Sequence, residues 1–204
     1  EVESLNKETI NPEDIINEIG INNFILQCMC TIMIGMQIIF TFGNLSLTAI
    51  SRDGKDAMVM KYIPISLYKQ FIWKNIPQVF INTIAVIGMA VIIAINISHI
   101  SILYYLVGIL IATILNIINS FIMVMVDLKK PNLNWITETS AIKDNGNKLY
   151  QYVTTIISCL LFVYFMRIFD NVNIIISFSI IIAILFIILL ILNILIKKNI
   201  NKLF

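Results

Sequence analysis

The residues that could carry covalent chemistry are few, and their spacing assigns them no reaction. Cys28, Cys30 and Cys159 all fall inside apolar runs. Cys28 and Cys30 are two apart, which on a helix points them to different sides, so they form neither a CxxC redox pair nor a metal-binding pair. All three read as buried, inert thiols. The one histidine, His99, sits in a short polar break between two apolar runs and reads as a solvated side chain. There is no HExxH pattern, no pair of intramembrane aspartates and no GxxxxGK[ST] phosphate loop. The chain is therefore expected to have no catalytic residue, no metal site and no cofactor of its own.

The elements that hold these residues are set by composition. Of 204 residues, 59% are hydrophobic and 13% charged, and the mean hydropathy is +0.91. A soluble domain carries about a quarter charged residues. This chain has too little polar surface to cover its apolar residues, so its solvent must be lipid. A span needs about 20 apolar residues, and five stretches qualify: 22–48, 78–97, 101–126, 152–169 and 172–196. The expected fold is all-α, a polytopic membrane protein of about five transmembrane helices. Ahead of them lies an acidic segment, 1–21, with Glu1, Glu3, Glu8, Glu13, Asp14 and Glu18 against the single cation Lys7. The stretch 22–48 is longer than the hydrocarbon core, which predicts tilt or a kink near Gly35 or Gly43. The chain opens on Glu1 rather than Met, so further sequence is expected upstream.

Charge then orients the spans. Arg52, Lys55, Lys61, Lys69 and Lys74 lie between spans one and two. Lys129, Lys130, Lys143 and Lys148 lie between spans three and four, and Lys197, Lys198 and Lys202 follow span five. Of 14 Lys and Arg, only Lys7 and Arg167 fall on the other side. By the positive-inside rule, loops 51–77 and 127–151 are cytoplasmic, with the N-terminus outside and the C-terminus inside.

No charge occurs mid-span, where ion-coupled carriers and proton pumps keep Asp, Glu or His. Intramembrane polar residues do occur: Gln27, Gln37, Asn44, Asn82, Asn116, Asn119 and Ser120. Asn116, Asn119 and Ser120 share one helix face by their i, i+3, i+4 spacing. They could line a substrate path or hydrogen-bond between helices. Such a path would suit a peptide, lipid, ion or drug alike.

Loop 51–77 is the most informative stretch. Ser51-Arg52-Asp53-Gly54-Lys55 leaves span one with charge and a helix-breaking glycine. Pro64 divides the loop, and Ser66 can cap a helix whose apolar face is Leu67, Tyr68, Phe71, Ile72 and Ile76. Lys69, Gln70 and Lys74 project elsewhere. That pattern predicts an amphipathic helix along the inner membrane surface.

These runs carry a resemblance. Ser51-Arg52-Asp53-Gly54-Lys55, then Met60-Lys61-Tyr62-Ile63-Pro64-Ile65-Ser66 and then Lys74, resembles the first cytoplasmic loop of bacterial ATP-binding-cassette exporter permeases. Asp127-Leu128-Lys129-Lys130-Pro131-Asn132-Leu133-Asn134-Trp135 is similar to a second-loop signature in a branch of such exporters. Family members typically have six spans with both ends inside, and the five spans here match the last five. The resemblance implies that Arg52, Asp53, Gly54, Lys61 and Pro64 couple the chain to an ATPase. It also implies that Asp127, Pro131 and Trp135 shape the second loop, although Trp135 equally suits an interfacial aromatic belt.

The implied partners are a separate cytoplasmic ATP-binding subunit carrying ATP and Mg, a second permease copy or half, and membrane lipids, with no nucleic acid. The implied location is the bacterial plasma membrane, crossed several times. The alternative function is a non-transporting membrane scaffold or sensor. A membrane enzyme would need clustered His, Asp or Glu at an interface, and no convincing cluster is present.

Overall fold

The structure, a computed structural model, describes residues 35, 43, 45–96, 101–168 and 174–200. The acidic segment 1–21, most of the stretch 22–48, Cys28, Cys30 and His99 lie outside the described residues. Within them every regular element is helical. A 3₁₀ segment, Ser51–Lys61, precedes α1 (Leu67–Asn96), α2 (Ile102–Lys129), the short α3 (Glu138–Lys143), α4 (Lys148–Ile168) and α5 (Ile174–Ile200). Three of these helices are long and apolar enough to cross a membrane, over Leu67–Asn96, Ile102–Lys129 and Ile176–Lys198. Helix α4, where a span was expected at 152–169, is not among the three; its first turns carry Lys148, Gln151, Thr154 and Thr155.

Helix α2 is the axis of the fold. It packs against both α1 and α5, and half of its most apolar stretch is buried, against about a fifth in each of the other two. Small and branched residues allow the approach: Ala112, Ile111, Leu115 and Ile118 of α2 meet Val86 and Ala90 of α1 and Phe178, Ile181 and Leu185 of α5. A second apolar cluster closes the loop end of the bundle, where Ala49, Ile50, Ala57 and Met60 pack on Phe71, Val124, Leu128, Ile196 and Ile200. The end of α5 joins it through polar contacts too. Tyr68 donates its hydroxyl hydrogen to Asn193 Oδ1, and Lys197 Nζ sits 5.0 Å above the Tyr68 ring.

Between the two clusters the buried stripe of α1 turns polar. Along it run Phe71, Asn75, Gln78, Asn82, Val86 and Ala90, at the three- and four-residue spacing that keeps one helix face against its neighbours. Buried amides in such a place must find partners. Gln78 Nε2 donates to Asn82 Oδ1 at 3.0 Å, and Asn82 Nδ2 donates to Asn116 Oδ1 at 3.0 Å. Asn116 Nδ2 closes the relay on the Val79 carbonyl at 3.0 Å. Asn116 is thus committed to joining α1 to α2.

The amphipathic helix expected over 66–76 is not a separate surface element. Helix α1 runs unbroken for 30 residues with Pro77 inside it, so residues 67–76 are the first turns of a membrane-crossing helix. The physical reason is the use made of the apolar face: Phe71 is buried among Ile50, Met60, Leu128 and Ile196, with Leu67 and Tyr68 packed against them. The bundle takes the Leu67, Tyr68 and Phe71 part of that face, while Ile76 is exposed. Residues 45–48, expected to finish the first span, form turns instead, as do 49 and 50.

The amide relay has a measurable worth. Asn82→Leu leaves the Gln78 NH2 without its acceptor and the Asn116 carbonyl oxygen without its donor. The expected loss is about 1–3 kcal/mol, read as a lower midpoint for thermal unfolding of the full-length protein in detergent. An unchanged midpoint would show that the relay does not hold α1 to α2.

Candidate functional site

The site grows from a difficulty at residues 45–50, just ahead of the 3₁₀ segment. This stretch is turns yet buried: Ser46, Leu47, Thr48, Ala49 and Ile50, with Ser51 after them, are all nearly inaccessible. Turns bond only some of their own backbone groups, as Ala49 N–H does to the Ser46 carbonyl and Arg52 N–H to that of Thr48, and the others need partners from elsewhere. Helices α1, α2 and α4 supply them. Gln78 of α1 accepts from Leu45 N–H at 3.0 Å, and Ser46 donates its hydroxyl hydrogen to Asn75 Oδ1. Gln151 of α4 donates to the Gly43 carbonyl at 2.8 Å. Lys74 of α1 donates to the Ala49 carbonyl at 3.1 Å, and Arg52 turns back to the carbonyls of Thr48 and Leu45 at 3.2 and 3.1 Å.

The centre of this arrangement is Asp127, near the end of α2 and fully buried. Its Oδ2 accepts from the backbone N–H groups of Ile50 at 2.7 Å and Ser51 at 3.0 Å. Its Oδ1 accepts from the Ser51 hydroxyl and from Asn147 Nδ2 at 3.4 Å. A buried carboxylate is costly unless donors surround it, and here four do. Ser51 extends the network, because its Oγ also accepts from Asn132 N–H at 2.9 Å and from Asn145 Nδ2 at 3.3 Å. Asn147 Nδ2 reaches the Lys130 carbonyl as well, at 2.9 Å. One carboxylate, with Ser51, therefore ties residues 50 and 51 to both ends of loop 127–151.

Trp135 completes the clamp. Its Nε1 donates to the Ser51 carbonyl at 2.6 Å, and its ring lies on Gly54. That glycine has φ +57° and ψ −131°, a conformation that disfavours side chains. A Cβ at position 54 would also stand 2.9 Å from Trp135 Cζ2. Gly54 breaks the 3₁₀ segment and leaves room for the ring. Beside it, Pro131 follows the end of α2, where Lys130 has left helical geometry (φ −141°, ψ 64°), and borders a small apolar pocket with Leu128 and Leu133.

Of the five residues expected to couple to a partner, three are turned inward. Arg52 binds backbone carbonyls, Asp53 is ion-paired with Lys74, and Gly54 is buried beneath Trp135. Lys61 and Pro64 are exposed. What the segment offers outward is Lys55, Asp56, Met58, Val59, Lys61, Tyr62, Ile63 and Ile65, all exposed, with Tyr62 at 84%. Gln70 of α1 anchors this surface from behind by donating to the carbonyls of Met60 at 3.0 Å and Ile65 at 2.7 Å.

The three candidate pathway residues part company. Asn116 belongs to the relay, and Ser120 is buried, its Oγ without a hydrogen-bond partner. Asn119 reaches a cavity of about 400 Å³ between α2, α4 and α5. Its wall is apolar apart from Asn119, Thr154 and Ser158, with Leu115, Ile181 and Ile188 among the rest. Sequence reading missed Asn75, Gln78, Asn145, Asn147 and Gln151, all polar, buried and used.

Two substitutions test the clamp. Asp127→Ala strands four donors and is expected to cost roughly 3–5 kcal/mol, with faster proteolysis within 51–66 and 131–147. Gly54→Ala in a Trp73→Phe background, where Trp135 is the only fluorophore of its kind, is expected to shift the emission as the ring is displaced, at a cost of about 1–3 kcal/mol. Unchanged emission would contradict the contact.

No family model, no curated protein and no solved structure matches the chain.

Proposed function

We propose that this chain is the transmembrane permease subunit of an ATP-driven exporter, working with a separate cytoplasmic ATPase. In this reading it crosses a bacterial plasma membrane about five times, N-terminus outside and C-terminus inside. A second permease copy or half completes the pathway. ATP and Mg belong to the partner, and this chain does no covalent chemistry.

The observation that carries the reading is the mechanical continuity behind the exposed face 55–65. That face is backed by Gln70 on α1 and by the Lys74–Asp53 pair. Through Ser51 it is tied to Asp127 on α2. A partner pressing on it would move two membrane-crossing helices as one body, which is the kind of rigid-body motion that drives switching between two packings. The mixture of apolar side chains, a tyrosine and charges of both signs suits a protein partner. The loop resemblance supports the same assignment. The resemblance assigns coupling to Arg52, Asp53, Gly54, Lys61 and Pro64 alike; in this reading Lys61, Pro64 and their exposed neighbours form the contact surface, and Arg52, Asp53 and Gly54 its internal frame. The cavity beside Asn119 lies where a pathway between permease halves could begin.

The full-length protein, tagged and purified from its native membrane, is expected to bring down an ATPase that has a P-loop and no spans. Tyr62→Asp or Val59→Asp, both on the exposed face, should lower its recovery about tenfold, while the permease itself stays folded. Recovery of no such ATPase would refute the coupling role and favour a scaffold or sensor.

A further inference from the structure

A second groove lies on the outer side of the bundle, between α1 and α2. It has a volume of about 360 Å³ and is walled by Ile76, Val79 and Phe80 of α1 and by Ile117 and Phe121 of α2. Asn75 stands at its loop end. Asn75 is 2% exposed, its Oδ1 is taken by Ser46, and its Nδ2 has no hydrogen-bond partner. A buried amide N–H left without an acceptor costs about 1–3 kcal/mol, so the site favours any occupant that brings an acceptor and otherwise presents hydrocarbon.

The depth of Asn75 indicates which occupant that is. From Asn75 to Asn96, α1 rises about 32 Å at roughly 1.5 Å per residue, one hydrocarbon thickness of about 30 Å. Asn75 therefore sits at the boundary of the apolar layer, where the glycerol esters of phospholipids lie. Two further residues mark that boundary on the same side of α1. Trp73 is 70% exposed, as interfacial tryptophans are. Lys69 is exposed, about 9 Å further toward the loop end, in the headgroup region.

We infer that the groove holds one phospholipid from the leaflet at the loop end of the bundle. One acyl chain lies along Ile76, Val79 and Phe80 against Phe121. Its ester carbonyl accepts from Asn75 Nδ2, and its phosphate faces Lys69. The inference needs only that α1 crosses the bilayer, and it is independent of any motor. Bound lipid would fill the groove between α1 and α2 and stiffen the same helices that the loop clamp joins.

The test is native mass spectrometry of the full-length, delipidated protein in detergent, titrated with phosphatidylglycerol in ester-linked and dialkyl ether forms. The ester lipid is expected to saturate one site per chain, and the ether lipid, which lacks the carbonyl, to bind about three- to tenfold more weakly. Lys69→Gln should weaken the ester lipid about fivefold. Ile76→Trp, which fills the groove, should weaken it about tenfold or more. The ether comparison and Lys69→Gln leave the core packing untouched, so a poorly folded Ile76→Trp does not decide the matter. Equal binding of the two lipid forms would overturn the proposal. So would cross-linking of Phe80→Cys into dimers in native membranes, which would make a second copy the occupant.

Discussion

The rest of this structure depends on how a buried, irregular stretch of backbone is satisfied inside a helical membrane protein. Residues 45–50 form turns rather than a regular helix; a few of their backbone groups bond locally, and the others, being buried, need partners from elsewhere. Asp127 meets the need at the most demanding point, taking the N–H groups of Ile50 and Ser51 on one oxygen. Its other oxygen holds the Ser51 hydroxyl and Asn147. A neutral side chain of similar size could not accept four donors at once. Those bonds compensate part of the cost of burying the carboxylate.

That requirement explains why so many distant residues converge. Gln78, Lys74, Asp127 and Gln151 come from three different helices, and each attends to the same short stretch of chain. The stretch therefore cannot move independently of α1, α2 or α4 without losing bonds. Its continuation, the exposed face 55–65, inherits that stiffness. On the proposed reading, such stiffness lets the chain transmit force, since a loose connection would absorb a push before it reached the helices. The inward placement of Arg52, Asp53 and Gly54 fits this division between frame and contact surface.

What was legible in the sequence was the solvent. Length and apolarity are enough to mark 78–97, 101–126 and 172–196 as spans, and these fall on the three helices able to cross a membrane, over Leu67–Asn96, Ile102–Lys129 and Ile176–Lys198, because lipid admits few other structures. The boundary of α1 was harder. Pro64 and Pro77 flank a run with its own amphipathic pattern, so residues 67–76 read as a surface helix; only their burial against Ile50 and Leu128 joins them to the span. The polar stripe Asn75, Gln78 and Asn82 has helical spacing, but it straddles that misread boundary and sits in a chain where asparagine is common. The clamp was not legible in principle. Ser51 and Asp127 are 76 residues apart, and nothing local in either sequence says that they meet. Trp135 against Gly54 is the same case: a glycine with positive φ and a tryptophan in a distant loop explain each other only once they are in contact.

The most direct measurement is amide hydrogen exchange at Ile50 and Ser51 in the full-length protein in lipid nanodiscs. If Asp127 holds these two groups in a buried network, they exchange as slowly as amides in the middle of α2, although neither belongs to an α-helix. Exchange at the rate of an exposed loop would contradict the account, because it would leave the loops without the anchor that binds them to the bundle.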